Sequence, residues 1–357
     1  MIKILRKNIN VESNYLTRNL DYHLVLKNII SNIKCYINQK LKSLNKQARL
    51  FHENALTEKN LFKPKSETHE PILAHITDVN FILGVSGGID SAIVNFIISM
   101  IFGGNKIFAT SIPTKHNSGH TKDKAKHLSN LLNNNFEEKP IDVENDDGEN
   151  DQSLKRALIL QKKRDVLIRE HGKNTAFLIL NTSNISEIQT GNFTINGDTI
   201  GDFGILRNLF KSEVYQLIDF INSDNGKNFL LSELGTINNI EKILHCIDEN
   251  SHIIPSAELK NNNQKDSDIL LNHDDFYTVV DMILIGKMNS LNDEELKEAL
   301  CKENAFAQWI EDFYNFKNIH EHVEKRKMAD FAINKINARM KLSKNKINSM
   351  TCESIAI

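Results

Sequence analysis

The stretch Phe81-Ile82-Leu83-Gly84-Val85, followed by Ser86-Gly87-Gly88 and then Asp90 through Ile97, constrains the fold more than any other part of the chain. An apolar run of strand length passes through a glycine-rich turn into a helix that is apolar on nearly every face. A helix of that kind must be buried, and a strand with no polar alternation needs cover on both sides. The paired glycines let the backbone turn tightly and approach a ligand closely. The first turn of the helix presents unpaired N–H groups and the positive end of its dipole. A strand, a glycine turn and a helix in this order therefore form an anion site, and phosphate is the anion that suits it. No Gly-Lys-Ser/Thr follows, so the turn is not a Walker loop.

The rest of the centre repeats the alternation. Strands are predicted over Asn80–Val85, Lys106–Ile112 and Thr175–Asn181, with a short one over Glu138–Val143. Helices are predicted over Asp90–Phe102, stopped by Gly103-Gly104, and over Thr121–Leu132, Leu154–Glu170 and Lys211–Ile221. Alternation at these lengths implies an α/β fold, a doubly wound parallel sheet flanked by helices, with ligands beyond the carboxyl ends of the strands. Before it, Leu24, Ile29, Ile33, Tyr36 or Ile37, Leu41 and Leu44 mark one amphipathic helix, and residues 46–77 read as a polar, aperiodic linker. After it, the chain from about Asn289 reads as helical and charged. The expected organisation is an N-terminal helix and linker over 1–75, a core over 76–288 and a C-terminal helical tail over 289–357.

At 357 residues the chain is long enough for one large core with appendages. The 44 basic and 46 acidic residues nearly balance, which argues against a general nucleic-acid or membrane-surface binder. The four cysteines, Cys35, Cys246, Cys301 and Cys352, are far apart and form no C-x-x-C, so neither a zinc knuckle nor a disulfide framework is indicated. With no apolar leader and no membrane-length run, a cytoplasmic protein is expected. The acidic stretch Glu144 to Asp151 fails the calcium-loop register and reads as a solvated loop. His116 and His120, and His320 and His322, supply neither three convergent ligands nor an H-E-x-x-H, so metal binding is not expected there.

Gly84-Val85-Ser86-Gly87-Gly88 also satisfies G-x-S-x-G, the nucleophile elbow of serine hydrolases, in the required strand–turn–helix setting. On that reading Ser86 is a nucleophile, with His320 or His322 completing a triad. A phosphate loop, an elbow and a ligand-free turn all fit these five residues.

The longer string Ser86-Gly87-Gly88-Ile89-Asp90-Ser91 resembles the SGGxDS pyrophosphate loop of enzymes that cleave ATP between its α and β phosphates. An elbow has no use for Asp90 and Ser91, whereas a pyrophosphate loop does. Beyond the strand TAFLILN come Thr182 to Phe193, then Gly197-Asp198, Gly201-Asp202 and Leu209-Phe210-Lys211, and later Pro255-Ser256-Ala257-Glu258-Leu259 and the helix from Tyr277 to Leu284. This ordered series is similar to the NAD synthetases of the ATP pyrophosphatase superfamily, over about Val79 to Leu284.

The resemblance implies an adenine nucleotide alpha hydrolase-like fold with N- and C-terminal helical extensions. It implies ammonia-dependent amidation of deamido-NAD to NAD, with ATP as co-substrate, Mg²⁺ as cofactor and a homodimer as the assembly. By the same resemblance Ser86, Gly87, Gly88, Asp90, Ser91, Ser111, Ile112, Thr182, Lys211 and Ser256 hold ATP, and Asp90 and Glu187 carry the metal. Lys162, Arg164, Phe193, Asp198 and Asp202 face the dinucleotide, and Lys211, Asp198 and Asp90 are catalytic. For Phe193 a core role is the competing reading.

The family's glutamine-dependent members carry a large glutaminase domain ahead of the loop. The 85 residues preceding Ser86 read as one helix plus linker, so free ammonia is the expected donor. Some positions depart from the family pattern. Lys162 stands where an arginine is usual, with Arg156 as a gapped alternative. Ile195 replaces a lysine, Ile205 a proline, and no proline follows Lys325-Arg326. A lysine there keeps a point charge and loses the bidentate fork. Another adenylating enzyme with the same loop, a serine hydrolase and a non-catalytic ATP-binding module are the alternative functions.

Overall fold

A computed structural model describes residues 14–59, 76–114, 119–142, 149–172, 174–235, 237–251, 270–271, 276–314, 322–347 and 353–354. The strands are β1 (Asp78–Gly84), β2 (Ile107–Ser111), β3 (Asn135–Glu138), β4 (Thr175–Asn181), β5 (Phe203–Gly204) and β6 (Glu353–Ser354). They form a parallel sheet in the order β3-β2-β1-β4-β5-β6. In the register, Leu83 of β1 lies opposite Ala109 of β2 and Leu180 of β4. The order reverses at β1, so the chain leaves β1 and β4 in opposite directions and opens a crevice at their carboxyl ends. The glycine turn after β1 lies at that crevice.

Both faces of the sheet are apolar. Phe81, Leu83, Ala176, Leu178 and Leu180 enter the main core, while Ile82, Phe177 and Ile179 face the other way. The second face is met by Leu160 and Leu167 of α4 (Glu149–His171). This two-sided burial is why Phe81–Leu83 of β1 and Ala176–Leu180 of β4 read as unbroken apolar runs. Helix α2 (Ile89–Phe102) is enclosed, with Ile93, Val94, Phe96 and Ile98 wholly buried. Truncating Ile93 to Ala at such a site costs about 2–5 kcal/mol. Helix α3 (Gly119–Leu131) adds Ala125 and Leu128 to the same core.

The N-terminal helix α1 (Tyr22–Lys59) sends Leu26, Ile29, Ile33 and Ile37 into the main core. It runs on to Lys59, well past the point where apolar spacing stops. After β4 come α5 (Ile185–Thr190), α6 (Lys211–Asn222), α7 (Asp224–Leu234) and α8 (Ile240–Ser251). Four later helices follow, α9 (Phe276–Met288), α10 (Asp293–Lys302), α11 (Asn304–Tyr314) and α12 (His322–Ile347). These form a second apolar cluster with Leu16 and Phe210, including Phe306 stacked on Trp309 at 5.6 Å. Among the described residues no helix is long and apolar enough to cross a membrane.

Candidate active site

The Ser86–Ser91 turn is internally braced. Ser91 Oγ accepts from Ser86 N–H (3.2 Å) and donates to Gly88 O (3.0 Å), and Gly88 N–H donates to Ser86 Oγ (3.2 Å). The two hydroxyls lie 3.2 Å apart. Gly87 adopts φ +86°, and a Cβ there would sit 2.1 Å from the Thr121 carbonyl oxygen, so only glycine fits. Gly88 ends the turn as the N-cap of α2, and among the described residues no side chain caps that helix. Its first N–H groups are thus available for an anion. The Ser86 hydroxyl finds its partners within the turn, on Gly88 and Ser91, and the structure gives it no histidine among the described residues. His320, and the side chain of His322, lie outside those residues.

Three charged side chains from three helices meet beside this turn: Asp90 at the start of α2, Glu187 in α5 and Lys211 at the start of α6. The Lys211 ammonium donates to Asp90 and lies 3.9 Å from Glu187 Oε1. Its side chain is 3 % exposed, against 17 % and 19 % for the two carboxylates. Burial alone would push the ammonium's pKa down. The charges of Asp90 and Glu187 outweigh that and hold it above the ordinary lysine value, so Lys211 stays protonated. The Tyr277 ring lies 5.6 Å from the same nitrogen.

Asn184 ties the carboxylates together. It is the N-cap of α5, accepts from Glu187 N–H (3.0 Å), and donates through Nδ2 to Glu187 (2.8 Å) and Asp90 (3.4 Å). Asp281 of α9 braces the lysine from behind. It accepts from the Ser186 hydroxyl and from Ser212 N–H (2.8 Å), while Ser186 Oγ accepts from Lys211 N–H (2.8 Å). Burial pushes the Asp281 carboxyl up to about 7, against the opposing pull of those hydrogen bonds. Glu213 completes α6 by accepting from Phe210 N–H and from the Arg18 guanidinium.

The loop between α5 and β5 forms a second group. Asn181 Nδ2, at the end of β4, donates to the carbonyls of Asp198 (2.8 Å) and Ile200 (3.1 Å). Asp198 accepts from Ser153 Oγ at the start of α4 (3.0 Å) and from Thr194 N–H (2.9 Å). Asp202 accepts from Ile179 N–H (2.7 Å) and pairs with Arg164 at 3.4 Å. Phe193 is only 6 % exposed, with the Lys346 ammonium over its ring at 5.1 Å.

The residues named from sequence therefore fall into distinct places. Ser86, Gly87, Gly88, Asp90, Ser91, Glu187 and Lys211 converge at the carboxyl ends of β1, β4 and β5. Ser111 and Ile112 lie at the end of β2, where Arg156 Nε donates to Ile112 O (3.2 Å), and Thr182 follows β4 directly. Phe193, Asp198, Asp202 and Arg164 share the second loop and its neighbour α4. Lys162 is exposed on α4. Ser256 lies outside the described residues. Asn184, Asn181 and Asp281 carry no role of their own in the sequence reading. For Asp281 the signal was a lone acid within the apolar helix YTVVDMIL.

The sequence matches the model of the NAD synthase family over residues 72–329. The chain belongs to that family. Among curated relatives, the NH(3)-dependent NAD(+) synthetase of Thermococcus sibiricus is 31 % identical over 151 residues, covering 40 % of this chain and 58 % of its own. That of Thermococcus kodakarensis is 33 % identical over 142 residues, 38 % of this chain and 55 % of its own. The matched stretch thus spans little more than half the length of these relatives. A solved NH3-dependent NAD synthetase from Campylobacter jejuni aligns with 85 % of this chain and 100 % of its own at 19 % identity and a TM-score of 0.40.

Proposed function

We propose that this chain makes NAD from deamido-NAD, ATP and ammonia, releasing AMP and pyrophosphate. The observation that carries the reading is the meeting of Asp90, Glu187 and a buried, protonated Lys211 beside the Ser86–Ser91 turn, in a member of the NAD synthase family. The reaction needs such a site. A carboxylate acylates nothing until a better leaving group replaces one of its oxygens. The nicotinate carboxylate attacks the α phosphorus of ATP, and pyrophosphate departs. Ammonia then attacks the carbonyl carbon of the mixed anhydride, and AMP leaves with the former carboxylate oxygen.

The chain's own residues supply positioning and charge. The Ser86 and Ser91 hydroxyls and the N–H groups opening α2 hold the departing pyrophosphate. Lys211 offsets charge growing on the leaving oxygens. Ser111, Ile112, Thr182 and Ser256 hold the nucleotide. Asp90 and Glu187 suit Mg²⁺, which takes one or two carboxylates and leaves its other positions to water and phosphate oxygens. That ion, when bound, neutralises phosphate charge. Asp198 orients ammonia or accepts its proton. Arg164, Lys162, Asp202 and the loop packed by Phe193 receive the dinucleotide. Exposed Leu154, Leu158, Val166 and Ile168 on α4 support a homodimer. The free cysteines Cys35, Cys246 and Cys301 support a reducing, cytoplasmic setting.

Product analysis tests the proposal. Purified protein with deamido-NAD, ATP, Mg²⁺ and ammonium is expected to form NAD, AMP and pyrophosphate in equal amounts, and to form none with glutamine instead. ATP bound with no NAD formed contradicts it. Reaction of Ser86 with a fluorophosphonate, independent of ATP, would favour the hydrolase instead.

A further inference from the structure

The segment from Ile188 to Gly204 is gripped by a part of the chain that lies beyond the family match, which ends at residue 329. Helix α5 is short and stops at Gly191, in the left-handed region at φ +66°. The carbonyls at such an end need donors, and cations suit the negative end of the helix. They come from α12. Arg339 Nε donates to Thr190 O (3.0 Å), and Ser343 Oγ donates to Ile188 O. Lys346 Nζ donates to Gly191 O (3.1 Å) and Phe193 O (2.8 Å) while lying over the Phe193 ring. The fit is close, because a Cβ on Gly191 would stand 3.2 Å from Ser343 Cα.

At its other end the segment is held again. Strand β6 pairs in parallel with β5, Phe203 opposite Glu353, one residue after Asp202. Burial lowers the pKa of both Arg339 and Lys346, so both cations have given up solvent to reach these carbonyls. Asp198 opposes that shift at Lys346, which places the ammonium within the field of the loop's carboxylate.

We propose that the C-terminal helix α12 is a clamp that sets the position of the loop 188–202, with Lys346 and Arg339 as its positioning residues for the deamido-NAD side of the site. What the loop holds rests on the function proposed above, whereas the clamp itself is a property of the fold. Three features argue for a positioning role. Lys346 and Arg339 donate to main-chain carbonyls of one loop, they reach it from a helix remote in sequence, and the same tail returns as the strand bordering that loop's far end.

The test uses the full chain with Lys346→Met, which keeps the apolar stem, and Lys346→Arg, which keeps the charge. Steady-state kinetics with ammonium are read together with amide hydrogen exchange over residues 191–202. Loss of a charged hydrogen bond predicts a rise of about tenfold in the KM for deamido-NAD in K346M. The KM for ATP is expected to stay within about twofold, with K346R restoring most of the loss and exchange over 191–202 accelerated only in K346M. An unchanged KM for deamido-NAD overturns the proposal, as does an equal rise in both KM values. If the wild type forms no NAD, the functional reading fails by itself, and exchange alone decides the clamp: faster in K346M and restored in K346R sustains it, unchanged overturns it. Should K346M lose its cooperative melt, Arg339→Met is judged by the same criteria.

Discussion

Replacing Lys211 by Met removes the cation held between Asp90 and Glu187 and keeps the length and apolar character of the stem. Two effects follow, and they separate by assay. The first is catalytic. The ammonium is almost wholly buried and fixed by two carboxylates and by the Asp281–Ser186 brace on its own backbone, so it is a preorganised charge that needs no rearrangement when negative charge moves to the leaving pyrophosphate. Removing one such group costs about 10²–10³ in kcat. The second effect is on stability. The carboxylates left behind are 17 % and 19 % exposed, so water recovers part of their solvation, and the loss is about 1–3 kcal/mol.

The pH dependence has a definite sign. The Lys211 pKa is raised in the fold, so its contribution is complete below the ordinary lysine value of 10.5 and is lost only as pH rises through the still higher folded value. The stability deficit of K211M therefore stays level across about pH 6 to 9. The assay is NAD formation at saturating substrates and Mg²⁺, with denaturant unfolding at several pH values. A kcat within about tenfold of wild type, in a folded variant, would refute the placement of Lys211 at the reacting phosphates.

Other substitutions probe separate parts of the site. Gly87→Ala places a Cβ against the Thr121 carbonyl at a positive φ, so ATP affinity by equilibrium binding is expected to fall at least about tenfold, and an unchanged affinity contradicts the turn's role. Glu187→Gln keeps the shape and removes a charge, so the Mg²⁺ concentration for half-maximal rate is expected to rise about tenfold, whereas an unchanged titration removes Glu187 from the metal site. Asp281 carries a carboxyl raised from 3.8 to about 7, so between those values the folded state holds a proton that the unfolded state has released, and this group's contribution to stability falls as pH rises through that window. Unfolding of wild type and Asp281→Asn at pH 4 to 8 is expected to show wild type losing stability relative to the variant up to about pH 7, and a constant difference would contradict the shift.

The parts of this fold that could be read from sequence are those whose burial is written in side-chain type. Strand β4 runs over the predicted residues 175–181 because both its faces are covered, so every position inside is apolar. The glycine turn was legible because Gly87 has no substitute against Thr121. Elements held by backbone or by isolated polar contacts were not. Strand β3 occupies Asn135–Glu138 and not the predicted 138–143, because Phe136 alone among its residues packs on the core and no apolar alternation marks it, and β6 is two residues recruited by main-chain pairing. Helix α1 continues to Lys59 through a polar stretch that lacks the periodicity of its first half. In the tail, Arg339, Ser343 and Lys346 read as an ordinary charged helix face, because their partners are carbonyls distant in sequence. Of the site, the charged triad was legible as members of a motif, while the joining by Asn184 and the bracing by Asp281 rest on geometry that spacing does not encode.

The central claim is that the carboxylate of deamido-NAD is activated by bonding to the α phosphorus of ATP. Deamido-NAD labelled with ¹⁸O at both oxygens of that carboxylate, turned over with ATP, Mg²⁺ and ammonium, tests it most directly by mass analysis of the products. The account predicts one ¹⁸O in the AMP phosphate for each NAD formed and none in pyrophosphate. Unlabelled AMP accompanying NAD would contradict it.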